Sequence, residues 1–320
     1  RRQPSGCPDA PTETSMAKKI LVTGANRGIG LAIAKGLLDQ GCFVYLGSRD
    51  PGRGAAALKS LVDAQPEYAS MAEVVPLDVT DEASVAAASA HIKAQGQLDG
   101  LINNAGGSAS PGLDFSNVTD HEKTLELNYF GTVRVTEAVL PIMSEGGRIV
   151  MLSSGAAPIF VSKCSPERKA FFCKPDATRD EITEVLDEFK AIGAKAADAS
   201  AAMSTFEAAG FGSGSSYGLS KAVLNLYTML IARENPQLSV NACMPGFVET
   251  DLTRPLTVKY GKTPAEMGMI STEQGAQSAL FCMLGDVPTP AGKGYYYGSD
   301  SLRSPLDELR NPGTPAYEGE

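Results

Sequence analysis

The chain is poor in the residues that several kinds of chemistry require. It has only two histidines, His91 and His121, far apart in sequence, so a histidine-based zinc site is poorly supported. No Gly-x-Ser-x-Gly elbow occurs, and the serine-hydrolase reading fails with it. No block of Lys or Arg exceeds a pair, and the formal net charge is −9. Nucleic-acid binding calls for a basic patch, so no nucleic-acid partner is expected. No apolar run approaches the ~20 residues of a membrane span, so no membrane partner is expected either. The six cysteines (7, 42, 164, 173, 243 and 282) contain no Cys-x-x-Cys. Cys42 and Cys243 lie in strand-like segments and read as small buried hydrophobes. A reducing, cytoplasmic compartment fits this usage. Cys164 and Cys173 stand closer together, where a disulfide or a reactive thiol competes with the plain reading of two thiols. Gly261-Lys262-Thr263 lacks the upstream glycine of a P-loop.

What is present describes one large α/β domain. The chain has 320 residues, 43% of them hydrophobic, ordinary for a globular protein. Residues 1–15 are polar and proline-rich without a signal-peptide core. They are expected to be a disordered tail ahead of a single domain over 16–320. Met16 could be a second start, and a transit-peptide remnant in the tail would place the protein in an organelle instead. Asn117-Val118-Thr119 is a glycosylation sequon by letter only. Apolar strands recur near 20–23, 43–48, 72–77, 100–103, 148–153, 239–244 and 294–297. Helical patterns lie near 29–40, 53–64, 82–95, 120–143, 217–234 and 272–284. Such alternation predicts a doubly wound parallel sheet, the Rossmann fold, covered on both faces. Ligands of such sheets bind beyond the strand C-termini, where Gly24, Asn103, Ser154 and Pro245 would converge.

Two motifs carry the chemistry. Lys19–Thr23 reads as a buried strand, followed by Gly24-Ala25-Asn26-Arg27-Gly28-Ile29-Gly30 and an apolar helical pattern to Leu38. Strand, glycine turn and helix together point to a dinucleotide site, the plain alternative being an ordinary strand-to-helix turn with glycines for geometry only. Gly24 allows the tight turn, Gly28 lets backbone approach a pyrophosphate, and Gly30 lets the helix pack close to the strand. The second motif is Tyr217-x-x-x-Lys221. Residues four apart share one helix face, so a phenol stands beside an ammonium. A neighbouring cation lowers a tyrosine pKa, and such a tyrosine can exchange protons with a carbonyl or alcohol. The plain alternative is a solvent-facing helix pair.

The Gly-x-x-x-Gly-x-Gly spacing together with Tyr217 and Lys221 resembles the short-chain dehydrogenase/reductase family. Asp78 and Val79, Asn103-Asn104-Ala105-Gly106, Asn128, Ser153-Ser154, and Pro245-Gly246 with Val248 and Thr250 fit its pattern in order. By resemblance, Asp78 and Val79 reach the adenine, and Asn104, Ala105 and Gly106 form the turn after the fourth strand. Pro245 to Thr250 hold the nicotinamide carboxamide. Ser154 positions the carbonyl, with Ser153 as the competing assignment. Asn128 holds a water through which Lys221 exchanges protons.

The second strand ends at Ser48-Arg49 with Arg53 four residues on, where an NAD enzyme usually has an acid. With Arg27, these guanidinium groups suit a 2′-phosphate, so the coenzyme is expected to be NADPH. Asp50, one residue late, keeps NAD as the alternative. Ser154 and Tyr217 are 63 residues apart, against about a dozen in the common pattern. The insertion, about 156–213, contains Ile182, Val185, Leu186 and Phe189 at helical spacing and needs a surface to cover. It resembles the monomeric carbonyl-reductase branch, which implies a monomer. The 247–270 segment is expected to be a mobile substrate lid or loop packing. The aromatic run Tyr295–Tyr297 is expected to pack under the sheet. The resulting expectation is NADPH-dependent reduction of a small-molecule ketone, aldehyde or quinone. The alternative is a coenzyme-binding sensor without turnover; redox sensing through Cys164 and Cys173 is weaker.

Overall fold

The computed structural model describes residues 17–108, 121–195, 199–212, 214–288, 292–301 and 303–305. The N-terminal tail and the Asn117 sequon lie outside them. Among the described residues the strands are β1 (Lys19–Val22), β2 (Phe43–Ser48), β3 (Ala72–Pro76), β4 (Leu98–Asn103), β5 (Met143–Leu152), β6 (Ser239–Cys243), β7 (Tyr295–Tyr297) and β8 (Arg303–Pro305). They form one sheet in the order β3-β2-β1-β4-β5-β6-β7-β8. Neighbours pair in parallel except β7 with β8, which is antiparallel. Chain order reverses between β1 and β4, which is where ligands of this fold bind.

Alternation along each strand feeds two cores. Leu21, Ile149, Met151 and Tyr296 point to one face. Ile20, Val22, Val150, Leu152, Tyr295 and Tyr297 point to the other, the period-2 pattern of a pleated strand. Helices α1 (Gly28–Asp39), α2 (Pro51–Ala64) and α12 (Thr272–Leu284) cover the second face. Helices α3 (Glu82–Ala94), α5 (Gly131–Val139) and α10 (Ser216–Glu234) cover the first. The tyrosine run is therefore packing, as expected. The region expected as one helix over 120–143 divides instead into α4 (His121–Leu125), a π turn (Glu126–Phe130) and α5.

The insertion folds as α6 (Ala156–Ser162), α7 (Pro166–Phe172), α8 (Arg179–Lys195) and α9 (Ala199–Ala208). Ile182, Val185, Leu186 and Phe189 form the buried stripe of α8, each worth roughly 1.5–3 kcal/mol of burial. Phe189 stacks on Phe206 at 4.3 Å between centroids. Arg179 fastens α8 to α5 and α10 through Glu137 and, at 2.7 Å, Glu234. Arg233 donates to the Pro175 and Ala177 carbonyls at 2.6 and 3.0 Å. With this cover in place, α10 is buried continuously from Ser216 to Ala232.

Candidate active site

The glycine turn is built as its spacing requires. Gly24 and Gly28 have φ of +65° and +56°, the left-handed region that favours glycine. A Cβ on Gly30 would lie 2.4 Å from both the Asn104 amide nitrogen and the Gly24 carbonyl oxygen, so α1 packs against the turn only with glycine there. Thr23 ties the first and fourth strand ends together. Its hydroxyl accepts the Asn104 and Ala105 N–H groups at 3.0 and 2.8 Å. Asn104 returns a side-chain bond to the Thr23 carbonyl at 2.8 Å.

Tyr217 and Lys221 lie on buried α10, 9% and 5% exposed, which removes the solvent-facing alternative. The Lys221 ammonium donates to the Leu152 carbonyl at 2.8 Å and sits 5.9 Å from the Tyr217 ring centroid. A Cβ on Gly106 would stand 3.4 Å from it, so glycine there leaves the ammonium room. Ser154 is hydrogen-bonded to Tyr217. Ser153, in contrast, turns inward and donates to the Asn225 side chain at 2.8 Å. The next residue, on the other side of the strand end, is the one that meets the phenol.

One expectation is corrected here. Lys221 does not bring the Tyr217 pKa down in this site. Burial pushes the phenol up, and the Ser154 hydrogen bond opposes that only in part. Burial also holds Lys221 well below its ordinary value, at about 8. The causes that set the Tyr217 pKa are its burial, first, and the Ser154 hydrogen bond, with no contribution from Lys221.

Asn128 lies in the π turn, a rare helical feature that often marks functional sites. Its side-chain oxygen accepts the Gly107 N–H at 2.8 Å. Its amide donates to the Gly107 carbonyl at 2.8 Å and to Ser220 at 3.0 Å. Both amide hydrogens are thus engaged, by the Gly107 carbonyl and the Ser220 hydroxyl.

These parts surround one cleft of ≈1120 Å³. Gly24, Asn26, Arg27, Gly28, Ile29, Gly30, Arg49, Asn104, Ala105 and Gly106 line it on the glycine-turn side. Ser154, Tyr217, Lys221, Pro245, Gly246, Val248 and Thr250 line the remainder. Arg53, Asp78, Val79 and Asn128 do not reach it. Arg53 pairs with Asp50 at 3.5 Å, Val79 is core, and Asp78 accepts the backbone N–H and hydroxyl of Thr80 at 3.0 and 2.7 Å. Thr80 lines a second cavity of ≈600 Å³, which shares Arg49 and Leu127 with the cleft.

A model of the short chain dehydrogenase family matches residues 18–165. Short-chain dehydrogenase/reductase 1 of Saponaria officinalis is 31% identical over 310 residues, covering 90% of this chain and 96% of the relative. The chain belongs to the short-chain dehydrogenase family. Carbonyl reductase [NADPH] 1 of Pongo abelii is 31% identical over 273 residues, with 82% and 90% covered. The solved structure of salutaridine reductase from Papaver somniferum superposes with a TM-score of 0.71 at 28% identity, over 87% of this chain and 99% of that one. The protein is accordingly an oxidoreductase of the carbonyl-reductase-like branch of the family.

Membership leaves some functional residues that motif matching misses. Thr23 and Asn225 position the strand ends through contacts 81 and 72 residues away, which no local pattern signals. Ser299, after β7, also lines the cleft; only its place at a strand C-terminus hints at it. The insertion cysteines are not a disulfide: Cys164 and Cys173 are both thiols. Burial raises the Cys164 thiol to about 11, which removes the thiolate character of a reactive cysteine.

Proposed function

We propose that this short-chain dehydrogenase is an NADPH-dependent carbonyl reductase in which Tyr217 is the general acid. The observation that carries the reading is the convergence of Ser154, Tyr217 and Lys221 with the glycine turn on a single cleft. The cleft residues fit a dinucleotide. The turn excludes a Cβ at Gly30, the N-terminus of α1 offers backbone N–H groups to phosphate, and Arg27 and Arg49 supply guanidinium groups. Asp50, the NAD-type alternative, is occupied as the N-cap of α2, accepting the Arg53 N–H at 3.0 Å. That favours the phosphate-bearing coenzyme, as does the name of the NADPH-dependent relative.

When bound, the nicotinamide supplies hydride to the carbonyl carbon. Ser154 donates a hydrogen bond to the carbonyl oxygen and stabilises charge developing there. Tyr217, whose ordinary pKa of 10.0 is raised further by burial, is protonated at neutral pH and gives its proton to that oxygen as the carbonyl becomes an alcohol. Lys221, at about 8, is poised to replace the proton. Asn128 fixes the Gly106–Gly107 backbone beside the ammonium.

The substrate end is apolar. Ala156, Pro158, Ile159, Met244, Phe247 and Leu252 line it, which suits an uncharged ketone, aldehyde or quinone. The 247–270 segment is pinned at its base, where Ile270 donates to the Phe247 carbonyl at 2.8 Å and Glu249 to the Ile270 carbonyl at 2.9 Å. Beyond that base, α11 (Arg254–Tyr260) buries no residue, which supports a hinged lid. The α8 cover over α10 supports a monomer. The experiment is a coenzyme-oxidation assay of the purified chain with a panel of apolar carbonyls, NADPH and NADH in parallel.

A further inference from the structure

Arg27 and Asp251 are 224 residues apart in sequence and form an ion pair across the cleft. Arg27 is the N-cap of α1, in the glycine turn. Asp251 follows Thr250 at the base of the 247–270 segment. Its other carboxylate oxygen accepts from Arg254 at 2.9 Å, so each oxygen holds one guanidinium. The two walls are close: a Cβ on Gly28 would lie 3.9 Å from the Thr250 methyl. Arg27, Thr250, Asp251 and Arg254 all line the cleft.

A coenzyme phosphate arriving at this turn meets a guanidinium already matched by a carboxylate. Carboxylate and phosphate satisfy the same planar fork, and two anions at this range repel within one screening length. The pair is 63% and 56% exposed, so it is weak and can open. Arg254 would keep hold of Asp251 as Arg27 leaves.

We propose that Asp251 is a positioning residue that competes with coenzyme phosphate for Arg27, easing coenzyme release and coupling it to the base of the lid. This rests on the dinucleotide reading above. The competition makes an unusual demand: removing an ionic partner from the site must strengthen binding.

The test is calorimetric titration of NADP+ and NAD+ into the full chain, with NADPH release followed by stopped-flow fluorescence. Wild type, Asp251→Asn, Arg27→Gln and the double variant are compared in a cycle. Asp251→Asn is expected to bind NADP+ roughly 2- to 5-fold more tightly, the scale of an exposed ion pair, and to release NADPH correspondingly more slowly. The gain is expected to vanish without Arg27. Unchanged or weaker NADP+ binding in Asp251→Asn, or an equal gain in the Arg27→Gln background, overturns the competition alone. Wild type that binds neither coenzyme overturns the dinucleotide reading as well. If Asp251→Asn melts early, Asp251→Ser gives the same comparison, and loss of the gain there overturns the proposal.

Discussion

Asn128 grips both backbone groups of Gly107, accepting its N–H and donating to its carbonyl, each at 2.8 Å. The third contact, to Ser220 at 3.0 Å, ties this grip to the helix that carries Tyr217 and Lys221. One fully buried side chain therefore ties the turn after β4 to α10. Asn128→Ala removes the partner of two half-buried Gly107 backbone groups and one contact of the buried Ser220 hydroxyl, which keeps its bond to the Tyr217 carbonyl; a fully buried group left unpaired costs about 1–3 kcal/mol, a half-buried one less. Thermal unfolding is expected to show a loss of roughly 2–4 kcal/mol, with turnover falling further than coenzyme affinity. Wild-type stability in this variant would show that the network is not held by Asn128.

The two serines separate by task. Ser154→Ala removes a donor from the reacting oxygen and is expected to lower kcat about 10²- to 10³-fold with little change in melting. Ser153→Ala breaks a buried bond to Asn225 and is expected to cost about 1–3 kcal/mol of stability with much smaller loss of kcat. Kinetics and melting curves on both variants check this; the reverse pattern would exchange their roles.

Lys221 gives a pH dependence with a definite sign. In the folded chain it releases its proton near 8, against an ordinary value of 10.5. The ammonium is present below about 8, so reduction is expected to slow as pH rises through that value. For stability, the unfolded chain binds more protons between about 8 and 10.5, so this group's contribution improves with rising pH across that window and is most unfavourable below it. The fall from 10.5 to about 8 corresponds to roughly 3 kcal/mol. Lys221→Met is therefore expected to melt higher than wild type at pH 7 while losing turnover. A lower melting temperature at pH 7 would contradict the burial penalty.

Much of this site is legible in the sequence because its geometry is local. Gly24, Gly28 and Gly30 announce a turn that only glycine satisfies, and Tyr217 and Lys221 share a helix face by spacing. The strand and helix alternation follows from period-2 and period-3.6 patterns, including the α8 stripe. Other features depend on contacts distant in sequence. β5 begins at Met143, earlier than expected, because Gly146-Gly147 interrupts its apolar pattern. The π turn around Asn128 leaves the apolar spacing intact and so hides inside one helical pattern. Burial of Tyr217 is set by the covering helices, which is why its pKa runs opposite to the isolated-pair expectation.

Tyr217→Phe retains the ring that packs in the site and loses only the acid. It is expected to bind NADPH as wild type does, by titration, and to lose about 10²- to 10⁴-fold in turnover. Near-wild-type turnover would remove Tyr217 as the proton donor.

The most direct test of the account is oxidation of NADPH by the purified chain in the presence of quinones, aromatic aldehydes and cyclic ketones, with NADH in parallel. Turnover with NADPH well above NADH is the predicted result. Turnover favouring NADH would contradict the arginine pocket, and coenzyme bound but never consumed across the panel would contradict the reductase in favour of a sensor.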